Sequence, residues 1–138
     1  MASIAARLHL SLGAFRMNLP ARYTPDSVAT MFGAQPKPVQ RALGERIMAA
    51  IGFDTDFGRL DVSHHPFTAG VPDDVRISTR YKDDSFTESL MGVIHETGHA
   101  LYEHGLPADW RWQPVGVARG MTIHESQSLL MEMQACRS

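Results

Sequence analysis

One cysteine, Cys136, in a chain of 138 residues excludes an intrachain disulfide and any cysteine-based zinc site. It fits a reducing compartment, and the cytoplasm is the expected location. No apolar run approaches the ~20 residues that span a bilayer, so no membrane partner is expected. Charge of neither sign dominates: 13 Lys and Arg against 15 Asp and Glu leave a formal net charge of -2. That balance offers no basic footprint for nucleic acid or for an anionic lipid surface. Internal repeats and low-complexity tracts are absent. Residues 1–25 lack acidic side chains and carry Arg7, Arg16 and Arg22, a composition loosely like that of a transit peptide. An ordinary helix, or a start inside a longer protein, is the preferred reading of that stretch.

What is present suits one soluble globular domain, with 43% hydrophobic and 20% charged residues. Ile4, Leu8, Leu12 and Phe15 are spaced as one apolar helical face, and Thr24 or Asp26 can cap a short helix closed by Gly33. Val39, Ala42, Leu43, Ile47 and Ile51 predict an amphipathic helix stopped at Gly52, after a turn at Pro36 and Pro38. Between 53 and 83, glycines and prolines punctuate short alternating runs. Leu60-Asp61-Val62-Ser63-His64 is one, and residues 75–81 are another, joined by a turn region at 68–74. Alternation sets Arg76, Ser78 and Arg80 on one face of the second strand. The expected class is mainly α (α+β): helices with a small antiparallel sheet. The expected divisions are 1–52 helical, 53–83 short strands, 84–105 a helix and 121–138 a final helix.

The helix at 84–105 carries His95-Glu96-Thr97-Gly98-His99. Ser85-x-x-Glu88 reads as its capping box. Histidines four apart share a helix face, with Cβ atoms roughly 5–6 Å apart, so His95 and His99 can offer two imidazole nitrogens to one ion. Glu96 can reach a water rather than the ion. Two ligands, a general base and an open position are the makings of a zinc peptidase. The competing reading is an exposed helix with two solvated histidines. Gly98 costs roughly 1 kcal/mol against alanine inside a helix, which suggests close approach of another backbone or of substrate. Trp110 and Trp112, in the loop that follows, read as a cover on the core, with a cleft wall as the alternative.

A third ligand is needed. The candidates are His104, His124 and Glu125. The metzincin spacing is excluded, because Tyr102 and Gly105 stand where it places glycine and histidine. His104 follows His99 by five residues and points off the shared face. Glu125, opening the last helix, is the better candidate, although Thr122-x-x-Glu125 is itself a capping pattern. In that helix Leu129, Leu130 and Met133 are apolar.

Several blocks together carry a family resemblance: Gly58-Arg59-Leu60-Asp61, His65-Pro66-Phe67, residues 74–79 (Asp-Val-Arg-Ile-Ser-Thr), His95-Glu96-Thr97-Gly98-His99 and His124-Glu125-Ser126-Gln127. From about Leu43 onward the chain resembles the thermostable carboxypeptidase Taq family of metallocarboxypeptidases. The resemblance implies one divalent metal ion, zinc with cobalt as the alternative, held by His95, His99 and Glu125. Glu96 would be the general base, and His65, Asp74, Arg76 and His124 would lie in or near the substrate groove. It implies release of C-terminal residues from peptides with broad specificity, a mostly helical fold with a small sheet along a groove, and a homodimer. Two departures stand out. Ser78 occupies a position usually held by threonine. Family members are also several times longer, and two later blocks, one with an arginine suited to the substrate's terminal carboxylate, are absent here. Three expectations follow: an active metallocarboxypeptidase, a partial catalytic domain that binds metal without turnover, or a non-enzymatic helical interaction module.

Overall fold

The computed structural model describes residues 35–136. The two helices expected before residue 34 lie outside the described residues. Helix α1 spans Lys37–Ile51. Strands β1 (Gly58–Val62), β2 (Phe67–Val71) and β3 (Asp74–Thr79) follow, then α2 (Phe86–His104) and α3 (Met121–Cys136). Short 3-10 turns sit before β1 and in the loop between α2 and α3.

Pro36 is the N-cap of α1 and Pro38 lies in its first turn, where a proline loses no hydrogen bond. At the other end Gly52 adopts φ 105°, and the Phe53 amide donates to the Met48 carbonyl at 2.9 Å. This closure folds Phe53 back onto Met48, and both enter the core. The buried face of α1 is Gln40, Gly44, Met48 and Ile51, rotated from the expected one, and Val39 and Leu43 are exposed. Gln40 decides the rotation. Its amide donates to the Gln35 and Lys82 carbonyls and accepts from Ser89 Oγ at 2.7 Å. Its burial therefore leaves no polar group unpaired.

The sheet has the order β1-β3-β2. It is mixed rather than antiparallel throughout: β2 and β3 are antiparallel, but β1 and β3 run parallel. After β1 the loop at 63–66 carries the chain past the central position to the far edge, and the hairpin then returns β3 into the gap. Strand β2 falls largely in the stretch expected to be a turn, because glycine and a neighbouring proline masked its pairing. The actual turn is confined to Pro72 and Asp73. Alternation along β3 is as expected, with Val75, Ile77 and Thr79 buried and Arg76 exposed. Ile77 pairs with Leu60 on one side and Thr68 on the other, so these three form a row facing α2.

Met48, Phe53, Leu60, Val75, Ile77, Val93 and Ala100 make the core. It glues α1, the sheet and α2 together. Helix α3 packs on α2 differently. A Cβ at position 98 would stand 2.6 Å from Ser128 Cα and 2.8 Å from the Gln127 carbonyl oxygen, so glycine is what lets the two backbones meet. The side of α3 that meets α2 is polar and small, and Leu129, Leu130 and Met133 are exposed. Trp110 and Trp112 do not cover the core: they are 55% and 91% exposed. Their loop is held instead by Arg111, whose guanidinium forks onto the Asp73 carboxylate.

Candidate metal centre

Helix α2 starts after Ser85, but no side-chain cap forms there. Glu88, expected to close the box, pairs with Arg80 at 3.1 Å and Lys82 at 2.7 Å instead. A charge-assisted pair to two cations outcompetes one neutral amide. Two turns later the helix brings His95 and His99 onto the face that meets α3. Their rings lie 5.1 Å apart. Across the helix interface, Glu125 stands 3.6 Å from His95 Nε2 through one oxygen and 3.3 Å from His99 Nε2 through the other. Glu125 is thus spent on the histidines, not on capping α3.

The three side chains form a group that could hold a metal ion. His95, His99 and Glu125 each offer an atom within 4.8 Å of the others. A tetrahedral ion with ~2.0–2.1 Å bonds needs ligand atoms roughly 3.4 Å apart. The 3.6 and 3.3 Å separations, one to each Glu125 oxygen, are close to that edge. Two imidazoles and a carboxylate also suit zinc or cobalt by ligand type. The residues present fit a divalent metal.

The tautomers agree with this. His95 Nδ1 lies 3.1 Å from a Glu132 oxygen; a carboxylate accepts, so Nδ1 carries the proton and Nε2 presents its lone pair to the centre. His99 Nδ1 lies 2.6 Å from His124 Nδ1, and His124 Nε2 lies 2.7 Å from Glu103. Glu103 can only accept, so His124 Nε2 donates to it. In a neutral His124 ring Nδ1 is then the acceptor, and His99 Nδ1 donates to it. His99 Nε2 is left bare as well. Burial pushes the His99 imidazole below its ordinary pKa. Its neighbours His124 and His95 add to that shift, while Glu96 and Glu125 oppose it. A neutral ring is the ligand form.

Glu96, between the two histidines in sequence, is 8% exposed. Its carboxylate is met by Thr68 Oγ1 at 2.7 Å. Tyr102 stacks edge-on against His124, with ring centres 4.9 Å apart. Its hydroxyl accepts from the Arg119 amide at 3.1 Å, which ties down the start of α3.

A family model for the carboxypeptidase Taq (M32) metallopeptidases matches residues 11–138. The chain belongs to this family. It is 45% identical over 107 residues to thermostable carboxypeptidase 1 of Thermus thermophilus, an alignment covering 75% of this chain and 21% of that protein. It is 40% identical over 100 residues to carboxypeptidase 1 of Bacillus subtilis, covering 72% and 20%. Among solved structures, metallocarboxypeptidase 1 of Trypanosoma cruzi superposes with a TM-score of 0.74 at 40% identity, over 98% of this chain and 26% of that one. The M32 carboxypeptidase of Deinococcus radiodurans R1 gives 0.75 at 36% identity, over 98% and 26%. The chain therefore spans about a fifth of the length of the curated relatives it matches.

Of the residues expected at an M32 site, the structure brings together His95, Glu96, His99, His124 and Glu125. Asp74 and Arg76 are elsewhere. They pair with each other at 2.8 Å on the sheet face turned away from α2. The Arg76 guanidinium holds the Asp74 carboxyl below its usual range. His65 is exposed in the loop before β2, where its carbonyl accepts from Ser63 and Ser78. Pro66 lies over Gly92, one turn before His95. Glu132, Glu103 and Thr68 were not anticipated. Glu132 had a readable signal, since it follows Glu125 by seven residues, two helical turns on the same face.

Proposed function

We propose that this chain carries the metal centre of a zinc metallocarboxypeptidase that releases C-terminal residues from peptides with broad specificity. The convergence of His95 Nε2, His99 Nε2 and Glu125 beside a buried carboxylate at Glu96, held by Thr68, carries the reading. Zinc bound there would polarise a scissile carbonyl and acidify a water toward pKa ~7. Glu96 takes the proton from the attacking water and delivers it to the leaving amine. Glu132 and the His124–Glu103 pair keep the two imidazoles aimed and in the right tautomer. The relatives, named as carboxypeptidases, supply the choice of peptide C-termini over other substrates.

His65, Asp74, Arg76 and His124 are the substrate-groove candidates that the family resemblance implies, with Asp74 and Arg76 paired on the sheet face turned away from α2. Arg76 can clamp a terminal carboxylate only by exchanging Asp74 for it, because the two are already paired. That engagement also favours a second reading, a centre that binds metal but turns over peptide poorly. No helix among the described residues is long and apolar enough to cross a membrane. A cytoplasmic homodimer completes the proposal, supported by the single cysteine and by the exposed Leu129, Leu130 and Met133. Zinc titration with a carbobenzoxy-dipeptide assay tests it. One zinc per chain and turnover abolished by E96Q, with zinc retained, are expected. No zinc binding, or undiminished turnover in E96Q, would overturn it.

A further inference from the structure

We infer that Thr68 is a positioning residue for Glu96. Strand β2 is the edge of the sheet and almost wholly exposed, yet Thr68 is turned inward. Its antiparallel pairing with Ile77 sets it in the row that faces α2. From there Oγ1 reaches Glu96 twice, 2.7 Å from Oε2 and 2.9 Å from the main-chain carbonyl oxygen. A hydroxyl has one proton. The shorter contact, to a charged acceptor, is the stronger, so the proton goes to the carboxylate, with the carbonyl as the alternative acceptor. With the proton on that bond, the Glu96 side chain is held back against its own helix turn. Oε2 is occupied, which leaves Oε1 as the oxygen free to take a proton from water.

The consequence concerns precision. A glutamate has three rotatable bonds, and a base misplaced by about 1 Å can cost on the order of 100-fold in rate. The strand register is what specifies the position: a slip of one residue would turn Thr68 outward and bring Phe67 or Ala69 to Glu96. Thr68 touches neither metal ligand in any hydrogen bond, so its removal should leave metal affinity alone. It acts on chemistry only through Glu96, and the assignment rests on Glu96 being the general base.

Two variants of the full chain separate this from a packing role. T68V is isosteric and favours a strand; T68S keeps the hydroxyl. Each is titrated calorimetrically with zinc and then with a peptide hydroxamate, whose acidic proton the general-base carboxylate accepts. Zinc affinity within twofold of the parent is expected for both. Hydroxamate affinity should fall tenfold or more in T68V and less than threefold in T68S. With a carbobenzoxy dipeptide, kcat should fall in T68V while KM changes little. Unchanged hydroxamate affinity in T68V, equal damage in T68S, or joint loss of zinc and hydroxamate in T68V would each overturn the assignment. T68A repeats the comparison if T68V does not fold. A parent chain that binds zinc but no hydroxamate overturns the proposed function itself, and this assignment with it.

Discussion

Replacing Gly98 by alanine tests whether close backbone contact builds the metal centre. The new Cβ would stand 2.6 Å from Ser128 Cα, 2.8 Å from the Gln127 oxygen and 3.0 Å from Ser128 N. Carbon atoms prefer about 3.5–4.0 Å, so α3 must retreat by about 1 Å. The atoms met are backbone, so no rotamer change relieves the clash. Overpacking of this kind costs about 1–3 kcal/mol, and the helix preference for alanine returns about 1 kcal/mol. A net loss of up to about 2 kcal/mol is expected. The retreat also carries Glu125 away from its 3.3 and 3.6 Å separations, whereas metal bonds tolerate only ~0.2 Å. Zinc affinity, read by competition with a chromophoric chelator, should drop at least tenfold, and the metal-free melting temperature should fall. G92A is the control: it gains the same helix preference, but its Cβ meets Pro66 ring carbons at 3.1 and 3.5 Å. Loop atoms can yield there. If G98A melts at or above the parent temperature and binds zinc within twofold, the close-contact account is wrong.

Other outcomes follow from the same geometry. E132Q weakens the acceptor for His95 Nδ1–H and should reduce zinc affinity about 10-fold or more; an unchanged chelator competition curve would remove Glu132 from the centre. The His99 imidazole has a folded pKa below its unfolded value. As pH falls from 8 to 5 the unfolded chain therefore protonates first, and stability present above about pH 6.5 is lost below it. Urea unfolding of the metal-free chain should show that decline and H99Q should blunt it; a parent curve that is flat or rising toward pH 5 contradicts it. Tyr81 is buried, its hydroxyl has no hydrogen-bond partner among the described residues, and burial raises its pKa. Y81F should be neutral or stabilising by up to about 1 kcal/mol, whereas a clear loss in thermal melts would reveal a missing partner.

The group that could hold a metal ion was the most legible part of the sequence. His95, Glu96 and His99 announce themselves because a helix fixes their mutual placement. Gly98 announced close approach, and the backbone at Ser128 supplied it. Glu125 was readable because a third donor was needed and few residues could provide one. Legibility failed where side chains chose partners through space. Glu88 looked like a cap and became an ion pair with Lys82 and Arg80. Gln40 was not among the expected buried positions and became the buried anchor of α1, because three loop and helix groups converge on its amide. Helix α3 buries a polar face on α2, so its apolar residues pointed to the wrong side. The parallel pairing of β1 with β3 was unreadable, since alternation reports which face a residue takes and not which strand lies beside it. Arg76 alternates as expected, but only the pairing with Asp74 shows that its guanidinium is already engaged.

The central claim is that two helices place three ligand atoms around one ion. Anomalous diffraction at the zinc edge, on crystals grown with stoichiometric zinc, tests it most directly. The predicted result is a single peak about 2.0–2.2 Å from His95 Nε2, His99 Nε2 and a Glu125 oxygen. A peak held elsewhere, or by His99 and His124 without Glu125, would contradict it.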